Sequence, residues 1–160
     1  MPHITIEYVI MLPLLIMQIF LFPMTASWLM NTWVNSRRTL ALQDVAGHLG
    51  STMQQLYFSL NHTTIPPGKA SYYPGLPPLI EDIIYKGTAT LQSLSGPELS
   101  SVRALELTVT LMGTTNSVTR TVILGPDVNW NPSVFLSNST NAYITAEKFV
   151  NGTISLQFNG

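Results

Sequence analysis

The sequence predicts an α+β protein in which one long N-terminal α-helix packs on a C-terminal antiparallel β-sheet or β-sandwich head. Three observations support this fold class. The run from Val9 to Met30 contains no ionisable side chain, apolar residues recur at helical spacing between residues 42 and 60, and alternating patterns with turn signals follow residue 64. The helix is therefore expected to be apolar in its first half and amphipathic in its second.

Length and composition set the domain organisation and exclude several classes of function. The 160 residues are enough for one domain and an appended element. We divide them into an apolar membrane-spanning or filament-core helix (1–36), an amphipathic continuation of that helix (37–62) and a β-rich head (63–160). Charged residues make up 9% of the chain, far below the roughly 25% of ordinary soluble domains.

No catalytic, metal-binding or nucleic-acid-binding pattern stands out. The net charge is −1 and only seven residues are basic, which does not favour a nucleic-acid partner. The absence of cysteine excludes disulfides and thiolate chemistry. The Asp44/His48 pair and the Glu81-Asp82 pair are better explained as surface charges, the second at a solvated strand start, than as a metal site or a general base. We therefore predict a protein that is not an enzyme and uses no cofactor.

The first element in the chain is the apolar helix. Residues 8–30 are numerous enough to cross a hydrocarbon core of about 30 Å as a helix. Pro13 and Pro23 each remove a backbone donor and should bend the helix, but in lipid or in a helix bundle the helix still satisfies the backbone best. Trp28 and Trp33 near its polar end are typical either of a membrane interface or of plain core packing.

The amphipathic continuation is predicted from its apolar spacing. The apolar positions, three, four or seven residues apart with a methionine beside them, are Leu42, Val45, Leu49, Met53, Leu56 and Leu60. Gly47 and Gly50 weaken the helix intrinsically, so packing must hold it. The prolines at 66 and 67 end it. We expect this apolar seam to cover the sheet.

The head is predicted to contain five or six strands. A proline-rich connector, 66–78, leads into a segment, 80–94, that should supply one strand or two. Alternation over 105–111 and a return over 118–124 predict a hairpin. Asn151-Gly152 is a strong two-residue turn signal and predicts a second hairpin.

Glu7 is the only carboxylate in the first thirty residues. A carboxylate in apolar surroundings either takes up a proton or pairs with a cation. The nearest cations in sequence, Arg37 and Arg38, are about 45 Å away along a straight helix. A terminal amine from another copy is a plausible partner, and the alternative is that Glu7 lies at the headgroup level of an ordinary membrane anchor.

The segment around Glu7 resembles the archaeal class III signal sequence, Q-x-S-x-E-Y before an apolar helix, found on type IV pilin-like proteins. His3 stands where that family has Gln and Thr5 where it has Ser, while Glu7 and Tyr8 match. The resemblance covers about the first thirty residues. The segment is also similar to TadE-like pseudopilins, in which Pro-Leu-Leu begins six residues after the glutamate, as it does here at Pro13.

The resemblance implies a life cycle and a set of partners. Such proteins enter the membrane as precursors, are trimmed by a prepilin-type peptidase before the equivalent of His3, and are moved into a helical filament by an assembly ATPase machinery. In the family the glutamate is thought to meet the terminal amine of a neighbouring copy, which implies the same role for Glu7. The residues to which we assign assembly are Glu7, His3, Thr5, Tyr8, Pro13 and Pro23.

The sequence signals disagree about the side of the membrane on which the head lies. Arg37 and Arg38 just beyond the span would place the head inside the cell by the positive-inside rule. The possible N-glycosylation sites Asn61, Asn138 and Asn151 favour the outside. We favour the outside, because the loss of a basic leader on processing would reverse the arginine argument.

The sequence thus predicts a structural subunit of an extracellular type IV pilus-like filament on the cell surface, membrane-inserted before assembly, with helices in the core, β heads outside and a role in adhesion. The alternatives are a minor TadE-like pseudopilin and a single-pass membrane-anchored surface domain.

Overall fold

The fold consists of one long helix and eight strands. A computed structural model describes residues 3–93 and 102–160, with side chains from Tyr8 onward. The helix α1 spans His3–Leu60. The strands are β1 (Gly68–Tyr72), β2 (Tyr85–Ser93), β3 (Arg103–Leu111), β4 (Ser117–Leu124), β5 (Val128–Trp130), β6 (Val134–Leu136), β7 (Tyr143–Lys148) and β8 (Ile154–Asn159).

The chain divides into two compact units, Met1–Arg37 and Arg38–Gly160, and α1 contributes residues to both. The second unit is the head. Its strands form sheet A, in the order β1-β7-β8-β5, and sheet B, in the order β4-β3-β2-β6. All pairs are antiparallel except β5–β8, which is parallel. The predicted α+β fold, with a long N-terminal helix and an antiparallel-dominated β head, is confirmed.

The core of the head lies between the last part of α1 and the inner faces of both sheets. From the helix, Leu42, Leu49 and Met53 are fully buried, as their spacing predicts. The sheets add Leu105, Leu107, Val109, Leu111, Ile144, Ala146, Ile154, Leu156 and Phe158. Leu56 of the predicted seam is partly buried and packs against this core, and the adjacent Tyr57, which the predicted spacing did not include, is fully buried.

Two helical glycines let α1 approach the edge strand β4 closely. A Cβ atom built on Gly50 would lie 2.9 Å from Val122 Cγ2, a methyl group of a buried side chain. A Cβ atom on Gly47 would lie 2.9 Å from Arg120 Nη1, the far end of an exposed, flexible side chain. Packing against the sheet thus stabilises the helix at two glycines whose intrinsic helix propensity is low.

Both predicted hairpins are confirmed. The β3–β4 hairpin turns at Gly113, with φ +75°, and the β7–β8 hairpin turns at Gly152, with φ +87°. Both dihedral angles lie in the region that glycine adopts without steric cost. Asn151 Oδ1 also accepts a hydrogen bond from the Thr153 amide at 3.1 Å.

The number of strands was wrong, because the described residues contain eight rather than five or six. β5 and β6 have three residues each and are too short to show alternation. β1 lies inside the proline-rich connector and pairs with β7 from the edge of sheet A, where the flanking prolines remove no ladder hydrogen bond.

The Glu81-Asp82 pair forms a tight turn and not the start of a strand, so that prediction was wrong as well. Both residues have positive φ, 48° and 61°. The turn is closed by reciprocal backbone hydrogen bonds of 3.0 Å between Ile80 and Ile83. Two consecutive left-handed residues match a type I′ turn, which sequence reasoning missed because the turn contains neither glycine nor asparagine.

Tyr85 ties the proline-rich connector to the core. Its hydroxyl donates to the Pro77 carbonyl at 2.7 Å, and its amide donates to Ser137 Oγ at 3.1 Å. Ser137 Oγ in turn donates to the Pro78 carbonyl at 2.6 Å. Burial raises the pKa of the Tyr85 phenol to about 12.

Replacement of Gly50 and of Gly47 should have opposite effects on stability. Gly50→Ala pushes a methyl group against Val122 and should lower the free energy of unfolding by about 1–3 kcal/mol. Gly47→Ala meets only the Arg120 side-chain end, which can move, and should raise the free energy of unfolding by up to about 1 kcal/mol through helix propensity. Chemical denaturation of the detergent-solubilised chain measures both. Equal effects of the two substitutions would contradict this close packing.

The head should lose stability in alkali through Tyr85. The folded-state pKa of about 12 lies above the ordinary value of 10.0. The contribution of the protonated Tyr85 to the free energy of unfolding is therefore complete below pH 10. About 2–3 kcal/mol of it is lost as the pH rises from 10 through 12. Tyr85→Phe should lower stability at neutral pH, because the bond to Pro77 is lost, and should flatten the decline. The exposed Tyr73→Phe is the matched control, and an unchanged slope in Tyr85→Phe would contradict the assignment. Denaturation midpoints between pH 8 and 12 provide the measurement.

Candidate assembly and membrane-anchoring segment

The apolar segment, residues 8–36 of α1, is exposed at every position except Val34, which is half-buried. Large side chains such as Phe22 and Trp28 expose 77% and 69% of their surface. Within the part Tyr8–Leu60 of α1, one 18-residue window has a mean hydropathy of 2.1, and no residue of that window is buried. By length and composition, this helix could cross a membrane.

Several hydroxyl groups in the segment are satisfied by the helix itself. Thr25 Oγ1 donates to the carbonyl groups of Leu21 and Phe22, at 3.0 Å each. Thr32 Oγ1 donates to the Trp28 carbonyl and Ser36 Oγ to the Thr32 carbonyl, at 2.9 Å in both cases. Because each of these hydroxyl groups already donates to a backbone carbonyl group, it can lie in an apolar environment without losing a hydrogen bond.

Pro13 and Pro23 both lie inside α1, and the helix continues through them, as predicted. Each lacks an amide hydrogen, so the carbonyl group four residues earlier loses its partner. At Pro23 the freed carbonyl group is that of Ile19, whereas the Thr25 hydroxyl bonds to the carbonyl groups of Leu21 and Phe22.

The polar end of the segment combines an indole with a guanidinium group. The Arg37 guanidinium carbon lies 4.9 Å from the centre of the Trp33 ring, a cation–π arrangement. Within the second unit, Arg38 Nε donates to Glu81 Oε2 at 2.9 Å. The two adjacent arginines thus have different contacts, Arg37 within the first unit and Arg38 within the head.

The described side chains include only some of the predicted assembly residues. His3, Thr5 and Glu7 occupy backbone positions in α1, but their side chains lie outside the described residues. Tyr8 is 69% exposed. The partner of Glu7 therefore stays a prediction.

The three possible N-glycosylation sites lie in the second unit at exposed positions outside regular structure. Asn61 directly follows the end of α1 and Asn138 lies in the turn after β6. Asn151 is at the β7–β8 turn, where its side-chain oxygen accepts the Thr153 amide hydrogen. Glycosylation itself stays a prediction.

Among the residues whose side chains are described, no three His, Cys, Asp or Glu side chains converge on a possible metal site. His48 Nε2 instead donates to the Pro74 carbonyl at 2.9 Å, and Asp44 lines the same shallow groove against the connector. This contact fastens the connector to the helix, and a pairing of His48 with Asp44 stays a prediction.

Sequence reasoning missed the contact between Trp33 and Arg37. The two residues are four apart, a spacing that places them on one face of a helix, so the signal was available. The bond from Arg38 to Glu81 had no local signal, because 43 residues separate its partners.

No family model matches the chain, and comparison with curated proteins and with solved structures gave no match either.

A charge placed in the apolar segment should reduce membrane association, whereas the same charge beyond the two arginines should not. Ile16 and Leu40 are both exposed helix residues, at 49% and 61%. Ile16→Arg should cost about 2.5–3.5 kcal/mol of insertion free energy and shift the chain out of the membrane fraction. Leu40→Arg should leave partitioning unchanged. Fractionation followed by alkaline extraction measures both, and equal partitioning of the two variants would contradict the assigned boundary.

Proposed function

We propose that this chain is a structural subunit of an extracellular type IV pilus-like filament of the archaeal kind, with the apolar helices bundled in the core, the β heads outside and a role in adhesion. The observation that carries the proposal is the exposed apolar segment, residues 8–36, in a chain whose second unit has its own core. In this proposal the chain enters the membrane first, and a prepilin-type peptidase and an assembly ATPase act on it before it joins the filament.

The size of the exposed apolar surface supports burial by lipid or by other copies. Monomeric soluble proteins rarely expose contiguous apolar patches larger than a few hundred Å². Here the large apolar side chains of residues 8–30 all expose about half of their surface or more. Lipid buries this surface before assembly, and neighbouring helices bury it in the filament.

Glu7 supplies the specific contact in this proposal. A carboxylate next to an apolar run is costly unless a proton or a cation neutralises it. No lysine or arginine occurs before Arg37 in this sequence. A terminal amine on a neighbouring copy, created by cleavage before His3, provides the cation and sets the axial position of one subunit against the next.

A single-pass membrane-anchored surface domain is the second candidate. The stacking of Arg37 on Trp33 favours it, because aromatic and basic side chains at the end of an apolar helix anchor a span at the interface. A minor TadE-like pseudopilin is a variant of the first candidate with the same fold and lower abundance, and quantification of the chain in sheared filaments separates major from minor subunits.

Substitution of Glu7 distinguishes assembly from simple anchoring. Glu7→Gln removes the charge, keeps the size of the side chain and should abolish filaments while membrane insertion persists. Glu147→Gln is the matched control, since Glu147 is exposed on the head, and it should assemble normally. Electron microscopy of sheared surface fractions and immunoblotting of the membrane fraction supply the two readouts.

The outcomes separate the candidates. Filaments that persist in Glu7→Gln, or a wild-type chain found only as a detergent-bound monomer, would exclude the filament proposal. Mass spectrometry of the native N-terminus provides an independent check. A chain that starts at His3 carries the free amine that the proposal requires, whereas an acetylated Met1 removes it.

A further inference from the structure

The outer face of sheet A combines neutral polar side chains with an exposed pair of aromatic rings. Pairing places Ser71 opposite Thr145, and Thr145 opposite Gln157. Their neighbours along the strands, such as Ile144 and Phe158, are buried on the inner face. Successive side chains alternate between faces, so the hydroxyl and amide groups form one row across three strands.

Two tyrosines stand at one end of this row. The rings of Tyr73 and Tyr143 have centroids 5.1 Å apart and planes inclined by 43°. Tyr73 is 63% exposed, and Tyr143 pairs in register with Asn159. We call Tyr73, Tyr143, Ser71, Thr145 and Asn159 the tyrosine platform. An aromatic pair contributes both an apolar face and polar hydroxyl groups to a binding surface.

Hydrogen bonds orient the polar groups of the platform. Asn159 Nδ2 donates to Thr145 Oγ1 at 2.7 Å, and Ser71 Oγ lies 3.5 Å from the same oxygen. Thr145 is only 2% exposed, so it acts as a support beneath its neighbours. The Asn159 side-chain oxygen forms no hydrogen bond to the described residues, and it can accept one from a ligand.

The charges around the platform exclude several ligand classes. Lys69 and Glu147 pair across β1 and β7, so opposite charges face each other. The platform itself has no ionised side chain. A nucleic acid or a phosphorylated ligand would require an excess of basic groups, whereas the basic Lys69 beside the platform is balanced by Glu147 opposite it.

We propose that the tyrosine platform binds a neutral oligosaccharide. The C–H faces of one or two sugar rings lie on Tyr73 and Tyr143, and sugar hydroxyl groups bond to Asn159 and Ser71. Neutral sugars match this surface because they carry hydroxyl donors and acceptors without charge and an apolar ring face that packs on an aromatic ring. The proposal rests on the head alone and does not require filament assembly.

A glycan array tests the proposal with the detergent-solubilised full-length chain. The array carries neutral glucose-, mannose- and galactose-containing oligosaccharides, with heparin and hyaluronan as charged controls. Binding to at least one neutral class and none to the charged polymers is the expected result. Absence of binding to every neutral oligosaccharide, or preference for the charged polymers, would overturn the proposal.

The neighbouring tyrosine provides a matched control. Tyr72 pairs with the buried Ile144 on the opposite face and is 45% exposed. Tyr73→Ala should weaken binding about tenfold, which corresponds to about 1.4 kcal/mol, because it removes a ring face on which the sugar packs. Tyr73→Phe and Tyr72→Ala should bind within about threefold of wild type, since a difference of less than 1 kcal/mol is expected for each.

Unfolding midpoints confirm that each variant is folded before binding is compared. Equal losses in Tyr73→Ala and Tyr72→Ala would contradict the assigned face. If Tyr73→Ala alters self-association of the chain, by light scattering, and leaves glycan retention unchanged, the platform is a contact between copies and the proposal fails.

Discussion

The whole architecture depends on the packing of the last part of α1 against the two sheets. Buried helix residues from Leu42 to Leu60 share one core with both sheets. Without the helix, the inner face of sheet B would lose its cover, and a small sheet needs such cover to be stable. The close approach at Gly50 allows this contact, because any larger side chain would meet Val122.

One helix therefore meets two environments, and its composition changes accordingly. Residues 42–60 alternate apolar and polar faces around the helix, as a surface helix requires. Residues 8–30 are apolar on all sides, which is typical of a helix surrounded by lipid or by other helices. Arg37 and Arg38 lie between the apolar part of the helix and its amphipathic part. Arg37 stacks on Trp33, and Arg38 bonds to the Glu81 turn.

The head protects its sheet edges in ways that leave the sheet faces open. β5 and β6 end their sheets with only three residues each, and short edge strands discourage pairing with another chain. At β4, Gln54 Nε2 donates to the Ile123 carbonyl at 3.2 Å, so the helix occupies one of the exposed backbone groups of that edge. Contacts with partners are consequently expected at the sheet faces and on the apolar helix more than at strand edges.

The sequence predicted the elements that have strong local signals. The Asn151-Gly152 turn and the alternation in β3 identified both hairpins, and uninterrupted apolar composition identified the apolar helix. The short strands β5 and β6 were missed because three residues define no period. Tyr57, which is buried beside the partly buried Leu56, was missed, since helical spacing alone does not distinguish adjacent positions at the edge of an apolar face.

The candidate sites were predictable to a lesser extent, because they depend on contacts between distant residues. In the tyrosine platform, Tyr73 contacts Tyr143 and strand pairing places Ser71 opposite Thr145. No local sequence motif predicts such a surface. A shallow surface of this kind binds a single sugar weakly, since it buries little of its ligand. If copies of the chain assemble as proposed, many platforms face one glycan-bearing surface. Once one platform is bound, its neighbours are held close to further glycans at a high effective concentration, so that many weak contacts together give firm attachment. The apolar helix would then determine the strength of adhesion, and the platform its specificity.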